Sequence, residues 1–348
     1  MSLEQNFLHV ISGRASGVSA AALRTALRAA APVYGAVVGV RNRKFDRTPG
    51  VRLPRPTISV GNLTTGGTGK TPVVQWIAQQ LIDTGLRPAV LLRGYRQRDG
   101  VSDEAELYRA GRIVVGVNPD RVAGAASVLR DAPATDVFIL DDGFQHRRVA
   151  RDLDLVLIDA INPFGFGHLL PRGLLREPLS SLSRAGGIVI TRCDRAVGDE
   201  LLGQIRQHAP ATPVVRCRHV ISGLIDAEGA PIDATQLGPV TALAGIGNPG
   251  AFFQQLESEM RLTIAHRIAA SDHAFYDRAT LASLPTGRPV VTTEKDFTKL
   301  RHLPGIERHQ ILRAVLRIDF APGDADAITQ LVMGALDKCP TNARNESS

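Results

Sequence analysis

Short apolar runs alternate with helix-like segments over much of the chain. The runs end at polar residues or glycine, and the segments between them carry apolar residues at helical spacing. This alternation is typical of a mainly parallel β-sheet flanked by helices, which is an α/β fold. The predicted strands of this sheet are Thr57–Val60, Pro88–Leu92, Ile113–Val117, Val137–Leu140, Leu153–Ile158 and Gly187–Thr191.

The pattern changes near residue 214. Short extended pieces, broken by Gly223, Gly229 and Pro231, predict a hairpin-like linker over residues 214–235. A second, smaller α/β domain is predicted over residues 236–339, with strands near Val240–Ala244 and Pro289–Thr293. The core domain is predicted to span residues 46–213, and the polar residues 340–348 are predicted to be disordered. A chain of 348 residues is long enough for two such domains.

Residues 1–45 form a separate segment that is both apolar and basic. The apolar stretch from Val18 to Val40 is interrupted by Arg24, Arg28 and Pro32, so it is too broken for a transmembrane span. Residues 1–60 hold nine basic and two acidic residues, and this surplus equals the net charge of +7 of the whole chain.

Three interpretations of this segment are open. An amphipathic helix could lie on an anionic membrane surface, or a helix could pack on its own domain. Binding to nucleic acid is the third interpretation, but the segment has no interleaved aromatic residues and the rest of the chain has no basic surplus.

The three cysteines have no metal-ligand spacing, which indicates a reducing compartment without a disulfide framework.

A glycine-rich loop follows the first predicted strand. Glycines allow backbone N–H groups to surround phosphate oxygens, Lys70 can reach the β and γ phosphates, and the Thr71 hydroxyl can join a Mg²⁺ shell. Thr64 stands where a strict P-loop has its first glycine, so the loop fits the variant with paired glycines; a glycine-rich turn without a ligand is the alternative. The predicted ATP-binding residues of the loop are Thr64, Thr65, Gly66, Gly67, Thr68, Gly69, Lys70 and Thr71.

The strand Val137–Leu140 ends in two carboxylates, Asp141 and Asp142. Acidic side chains at a strand end beside a P-loop can hold Mg²⁺, which makes this pair a candidate metal site. The alternative is an ordinary turn at Asp142-Gly143. Ligands of open α/β sheets bind at the edge where the strands end, so the polar residues 143–148 belong to the same candidate site.

Several other segments have weaker signals. Arg93 follows a strand and could meet phosphate; Asp103 begins a helix and is typical of a cap; His273 is a lone histidine. Residues 170–178 mix charges with prolines in a loop that suits binding. Two further patterns, the G-x-G-x-x-G string at 245–250 and the GTPase-like residues 191–194, lack the partners that nucleotide recognition needs.

Taken together and in this order, the motifs resemble the tetraacyldisaccharide 4′-kinases of lipid A biosynthesis. The resemblance covers most of the chain, and three loop positions, Arg96, Ser102 and Leu174, depart from the family pattern. The matching motifs are Val60–Thr64, Gly66–Pro72, Arg93–Tyr95, Asp103-Glu104, Asp141–Arg147, Leu170–Gly173, Leu175–Pro178, Asp272-His273 and Thr292–Asp296.

The resemblance implies a P-loop NTPase-like fold and transfer of the ATP γ-phosphoryl group to the 4′-hydroxyl of a lipid A disaccharide 1-phosphate. It implies that Asp103, polarised by His273, accepts the hydroxyl proton, and that Lys70 and Asp142 act in catalysis in a cleft between the domains. The metal ligands that it implies are Thr71, Asp141, Asp142 and Glu177. It also implies a nucleotide contact by Gln145, and substrate or phosphate contacts by Arg93, Tyr95, Glu104 and Arg121.

The resemblance also favours the membrane interpretation of the first 45 residues. An acylated substrate stays in the bilayer, which implies a peripheral or monotopic protein on the cytoplasmic face of the bacterial inner membrane. The expected partners are the lipid A precursor and an anionic membrane surface, without nucleic acid or an obligate protein partner. A P-loop regulatory or metallochaperone GTPase and a soluble small-molecule kinase are the competing hypotheses.

Overall fold

The computed structural model of the chain describes residues 3–94, 97–98, 101–193, 198–271 and 276–338. It divides into two compact units. Unit 1 comprises Met1–Arg93, Ile113–Arg218 and Phe320–Ser348, and unit 2 comprises Gly94–Arg112 and His219–Asp319.

Strands and helices alternate along most of the chain. The strands are β1 (Thr57–Asn62), β2 (Pro88–Leu92), β3 (Gln97–Arg98), β4 (Val101–Ser102), β5 (Val114–Val117), β6 (Val137–Asp141), β7 (Leu153–Asp159), β8 (Gly187–Thr191), β9 (Val214–Ile225), β10 (Pro231–Ile232), β11 (Val240–Ala244), β12 (Ile264–Ala269), β13 (Val290–Thr293) and β14 (Ile311–Phe320). The α-helices are α1 (Leu3–Ile11), α2 (Val18–Arg47), α3 (Lys70–Asp83), α4 (Asp103–Ala110), α5 (Arg121–Asp131), α6 (Asp199–His208), α7 (Pro249–Ser258), α8 (Arg278–Ser283), α9 (Glu294–Leu300) and α10 (Asp324–Asp337).

Unit 1 is built on a parallel sheet with the strand order β9-β8-β7-β1-β6-β2-β5. Strands β1, β2, β6 and β8 are buried along their whole length, because helices cover the sheet and its strands consist mainly of apolar residues. All parallel strands end at the same edge, so the residues that follow β1 and β6 come together. The predicted α/β fold is confirmed, with strand ends within one or two residues of the prediction.

Unit 2 has its own sheet segment, in which β12, β11, β13 and β14 are parallel neighbours. The end of β9 pairs antiparallel with β10, with Ile225 opposite Pro231, which forms a short hairpin. The short extended pieces predicted from residue 214 are instead one strand of 12 residues, β9, which continues through Gly223 because its ladder with β8 begins in the sheet of unit 1. Strands β12 and β14 were not predicted. Their exposed residues, such as His266 in β12 and Arg317 in β14, interrupt the apolar runs on which strand prediction depends.

The two units differ from the predicted consecutive domains in two segments. Helix α4, predicted in the core, belongs to unit 2, where it packs on α9 and buries Ala105 and Tyr108 completely. Helix α10, predicted in the second domain, belongs to unit 1. So does Phe320, the last residue of β14, whose ring is tilted against that of Trp76 with centroids 4.6 Å apart. The physical reason is that packing partners here are distant in sequence, whereas the prediction cut the chain at composition changes.

Helix α2 is longer than the apolar stretch that predicted it. It continues through Pro32 to Arg47, although proline removes a backbone hydrogen bond and disfavours a helix interior. Contacts with the rest of unit 1 hold it, including a hydrogen bond from the Tyr34 hydroxyl to the Arg176 carbonyl oxygen at 3.0 Å. Among the described helices, none combines the length and the apolarity that crossing a membrane requires.

Candidate active site

The glycine-rich loop connects the end of β1 to the first residue of α3, Lys70. Gly66 and Gly69 have φ angles of 109° and 75°, in the left-handed region that favours glycine. A Cβ atom added to Gly66 or Gly67 would meet no protein atom within 4 Å. The loop therefore has open space beside its backbone, directly before a helix N-terminus, which is the arrangement that binds anions.

The start of this loop is held by a second loop, residues 168–177. The Thr65 N–H donates to the Leu174 carbonyl oxygen at 2.8 Å, and Thr64 forms an antiparallel bridge with Leu175. The Thr64 side chain is buried and its hydroxyl oxygen accepts from the Asn62 amide at 3.3 Å. Thr64 is thus part of the packing that fixes the loop, which explains why a glycine is not needed there. The predicted ATP contacts of Thr64 and Thr65 stay predictions.

A carboxylate and two cations meet beside the loop. The Lys70 ammonium lies 3.4 Å from one Asp142 oxygen and donates to the Asn62 amide oxygen at 3.1 Å. The Arg176 guanidinium donates to both Asp142 oxygens, at 3.0 and 2.8 Å. Burial alone would raise the pKa of the Asp142 carboxyl, but the charges of Lys70 and Arg176 outweigh it and hold that pKa below its usual range. Asp142 is therefore ionised at neutral pH.

The neighbouring predicted residues support this edge of the sheet. Asp141 is the buried last residue of β6, and its carbonyl oxygen accepts from the Arg121 guanidinium at 3.3 Å. Arg121 is itself buried and also donates to the Asn118 carbonyl oxygen at 3.0 Å. Gln145 donates to the Asn62 carbonyl oxygen at 2.9 Å. In this arrangement Arg121 and Gln145 stabilise strand ends, and their predicted phosphate and nucleotide contacts stay predictions.

Glu177 lies in a different environment from the other predicted metal ligands. Its side chain is fully buried and accepts from Arg41 at 3.1 Å, Asn42 at 3.1 Å and Arg184 at 2.8 Å. A buried carboxylate with several donors holds its partners strongly, because removing one partner leaves an uncompensated charge. Glu177 therefore anchors the end of α2 to unit 1, and its predicted role as a metal ligand stays a prediction.

The remaining predicted residues are distributed over both units. Thr71 lies in the first turn of α3, and Thr68 has a buried hydroxyl oxygen without a hydrogen-bond partner among the described residues. Arg93 is exposed just after β2 in unit 1, and Glu104 is half-buried in the first turn of α4 in unit 2. The described part of the chain does not include Tyr95, His273 or the Asp103 side chain.

Sequence reasoning missed two residues that the site depends on, Asn62 and Arg176. Both lie inside motifs that were used as evidence, but neither received a role. Arg176 precedes Glu177 and follows a loop of rigid residues, so its position at a binding edge was a usable signal. Asn62 is the last residue of β1 and joins Lys70, Gln145 and Thr64 by hydrogen bonds, a role that only the fold makes visible.

The parallel sheet, the phosphate-binding loop and the cation-paired carboxylate define the class of P-loop nucleotide-binding proteins. The sequence model of the LpxK family, described as tetraacyldisaccharide-1-P 4′-kinase, matches residues 23–336. This chain belongs to that family, and it is a kinase.

Similar proteins match this chain over most of its length. A tetraacyldisaccharide 4′-kinase of Syntrophotalea carbinolica is 39% identical over 71% of this chain and 74% of its own length. One from Chlorobaculum parvum is 34% identical over 92% of this chain and 96% of its own length. The crystal structure of LpxK from Aquifex aeolicus in complex with ATP has a TM-score of 0.73 at 26% identity, covering 90% of this chain and 99% of that one.

Proposed function

We propose that this kinase transfers the γ-phosphoryl group of ATP to the 4′-hydroxyl of a tetraacylated disaccharide 1-phosphate, with the Lys70–Asp142–Arg176 cluster at the phosphate end of the site. The observation that carries the proposal is that an open phosphate loop lies beside an ionised carboxylate with a cation on each side. Family membership supports the reaction and the acceptor.

The cationic residues of unit 1 are proposed to bind the phosphates. Lys70 at the start of α3 is within reach of phosphate oxygens that enter the loop, and the helix N-terminus adds a favourable dipole. Phosphoryl transfer depends mainly on positioning and on neutralising charge. Lys70 and Arg176 would neutralise the phosphate charge, and their contacts with Asp142 hold both side chains beside the loop.

The donor set at the strand end fits Mg²⁺. The described residues include no group of three or more His, Cys, Asp or Glu side chains that could hold a metal without other ligands. Mg²⁺ differs in needing only one or two carboxylates, with phosphate oxygens and water completing its shell. Asp141, Asp142 and Thr71 would hold it, and the bound ion would supply positive charge that offsets the charge of the phosphates.

Asp103 and His273 are proposed to act on the acceptor. Asp103 would accept the proton of the 4′-hydroxyl, and His273 would hold Asp103 in the required ionisation state. The family motifs Asp103-Glu104 and Asp272-His273 support this pair. Asp103→Ala and His273→Ala should each reduce kcat far more than ATP affinity; unchanged turnover in both variants would remove their catalytic role.

Helix α2 is proposed to rest on the membrane that holds the acylated substrate. Val33, Val37 and Val40 are 67%, 65% and 64% exposed and share one helix face. Lys44 and Arg47 continue this face with basic groups, which anionic lipid attracts. The proposed location is the cytoplasmic face of the inner membrane.

Vesicle binding tests the membrane proposal. The variant Val33→Ser/Val37→Ser should bind vesicles containing phosphatidylglycerol at least tenfold more weakly, because it removes the apolar contact. The control Val114→Ser/Leu316→Ser removes two other exposed apolar side chains and should bind like the wild type. Equal losses in both variants would contradict the proposal.

The decisive test of the reaction is an assay with labelled ATP, Mg²⁺ and the tetraacylated disaccharide 1-phosphate. We expect label in the lipid, and a loss of about 10³-fold in kcat/KM for Lys70→Ala. The absence of labelled lipid, together with GTP hydrolysis stimulated by a protein, would favour the GTPase alternative. If removal of residues 1–40 changes neither the activity nor the amount of protein recovered with membranes, the segment has no membrane role, and the small-molecule kinase alternative is favoured.

A further inference from the structure

Unit 1 contains a second group of cations that are not members of the Lys70–Asp142–Arg176 cluster. It consists of Arg24 and Arg28 on α2 and of His168 and Arg172 in the loop 168–177, and it is called the basic cluster below. Hydrogen bonds place two members together, because Arg24 donates to the carbonyl oxygen of Val10 at 3.4 Å and Arg172 donates to that of the next residue, Ile11, at 2.7 Å. Arg28 lies about one turn after Arg24 on α2, and its charge contributes to the lowered pKa of both His168 and Arg172. Among the described residues, no carboxylate forms an ion pair with any of them.

Backbone carbonyl groups hold two members of the basic cluster in place. Arg24 donates to the carbonyl oxygen of Ala15 at 2.8 Å, and Arg172 donates to that of Ile11 at 2.7 Å. These bonds use only part of the five N–H donors of each guanidinium. The guanidinium is held in place while its other donors can still bind a ligand. Such an arginine binds a phosphate oxygen better than a flexible surface arginine does.

Arg24 and Arg28 lie on the side of α2 away from Val33, where Arg24 is half-buried and Arg28 is exposed. At 100° per residue, Arg24 and Arg28 are about 180° and about 140° around the helix from Val33. They share their side with Gly35, where an added Cβ would lie 3.0 Å from Leu169 of the loop. Because the exposed apolar face points the other way, contact of that face with a bilayer would not place these arginines among the lipid head groups.

Like charges held together without counter-charge destabilise one another, and a bound anion relieves this repulsion. Burial, with Arg172 and Arg28 nearby, lowers the pKa of His168 below its usual value. Tyr34, which contacts the Arg176 carbonyl oxygen, lies six residues after Arg28 on α2, about 9 Å along the helix axis. Helix α2 therefore passes both the basic cluster and the segment that holds Arg176, and the loop 168–177 itself carries His168, Arg172 and Arg176.

We propose that Arg24, Arg28, His168 and Arg172 bind the phosphomonoester that the acceptor disaccharide carries at the end opposite to the reacting hydroxyl. The inference rests on the proposed function, since it assigns the second phosphate of that acceptor. The cluster makes the enzyme selective for the 1-phosphate form of the acceptor. Arg28 is the cleanest residue to test, because it is exposed and has no hydrogen bond or ion pair with the residues that the structure describes.

The test compares two acceptors in detergent micelles, the tetraacylated disaccharide 1-phosphate and the same lipid without the 1-phosphate. Arg28→Gln should lower kcat/KM for the phosphorylated acceptor about tenfold, mainly through KM, because it removes a charge-assisted hydrogen bond. For the acceptor without phosphate it should change kcat/KM less than twofold. Arg317→Gln removes an exposed arginine of β14 and is the matched control, with no expected effect on either acceptor.

A second readout does not depend on turnover. Binding of the phosphorylated acceptor should raise the pKa of His168, measured by NMR, and the acceptor without phosphate should leave it unchanged. Equal losses of kcat/KM on both acceptors in Arg28→Gln would overturn the proposal. So would a loss of binding to phosphatidylglycerol vesicles with unchanged selectivity in micelles, which would assign the cluster to lipid head groups. If the wild type phosphorylates neither acceptor, the proposed function fails; if it phosphorylates both equally, only this inference fails.

Discussion

Glycines at the two sides of the site have opposite surroundings. On the phosphate side, Gly66 and Gly67 border open space. On the strand-end side, a Cβ atom at Gly61 would lie 2.6 Å from the Phe144 backbone nitrogen, and one at Gly143 would lie 2.6 Å from the Ser59 hydroxyl oxygen. The same residue type therefore serves ligand access on one side and close packing on the other.

The difference separates a part of the site that is closely packed from a part that borders open space. The strand-end side is assembled by the fold itself, because Phe144 is fully buried against Gly61. On the phosphate side, the backbone of Gly66 and Gly67 borders open space. Mutations at the first side should therefore affect folding, and mutations at the second should affect binding.

Gly61→Ala should have the largest effect on stability. The new methyl group would overlap Phe144 backbone and Cβ atoms, which cannot move without shifting the segment after β6. We expect a loss of about 3–4 kcal/mol in the free energy of unfolding. Trp76, the only tryptophan, lies in unit 1, so its fluorescence during urea denaturation reports on this unit. A loss below about 1 kcal/mol would show that the strand-end side is looser than described.

His146 makes the strand-end side sensitive to acid. Burial, with Arg121 and Arg151 nearby, lowers its pKa to about 4, and its Nε2 atom is buried without a hydrogen-bond partner among the described residues. Its pKa in the unfolded chain is about 6.5, so between these values the unfolded state binds the proton and the folded state does not. The free energy of unfolding should therefore fall as the pH is lowered from about 6.5 to about 4.

The size of this pH effect should be about 1–2 kcal/mol, after allowing for solvent screening of a half-buried ring. His146→Gln should remove this part of the acid sensitivity, whereas His266→Gln, at an exposed position of β12, should retain it. Urea denaturation at several pH values measures the difference. Identical pH dependence in His146→Gln and the wild type would contradict the assignment.

Gly66→Ala tests backbone conformation without a steric clash. At φ 109° a side chain is strained, yet no protein atom lies within 4 Å of the added Cβ. The expected cost is about 1–2 kcal/mol in the free energy of unfolding, smaller than for Gly61→Ala because no packing is lost. A cost as large as that of Gly61→Ala would mean that the loop is more closely packed than the structure describes.

Much of this contrast could be predicted from the sequence, and the reasons for the rest are physical. Consecutive apolar residues predicted the buried strands of unit 1. Lys70 and Asp142, which were predicted at one edge of the sheet, lie 3.4 Å apart, and their roles in catalysis stay predictions. Thr64 departs from the strict P-loop motif, and a motif describes only one loop. The reason for the departure lies in another loop, where Leu175 forms a bridge with Thr64.

Contacts between distant residues also explain what could not be predicted for Glu177, α4 and α10. The resemblance implies that Glu177 is a metal ligand, and this role stays a prediction, but its partners Arg41 and Arg184 became visible only in the fold. The assignment of α4 to unit 2 and of α10 to unit 1 has the same origin. Local patterns predict elements well, but they do not predict which distant elements pack together.

Gly67→Ala should have the smallest effect on folding and separates the two sides most sharply. Its φ is not in the left-handed region and the added methyl group meets no protein atom, so the free energy of unfolding should change by less than about 0.5 kcal/mol. The methyl group would instead occupy space beside the backbone that a phosphate needs. ATP affinity, measured by calorimetry, should fall at least about tenfold, or about 1.4 kcal/mol. Unchanged ATP affinity would mean that the nucleotide does not use this part of the loop, and the phosphate side would then have to be sought nearer to Gly69 and Lys70.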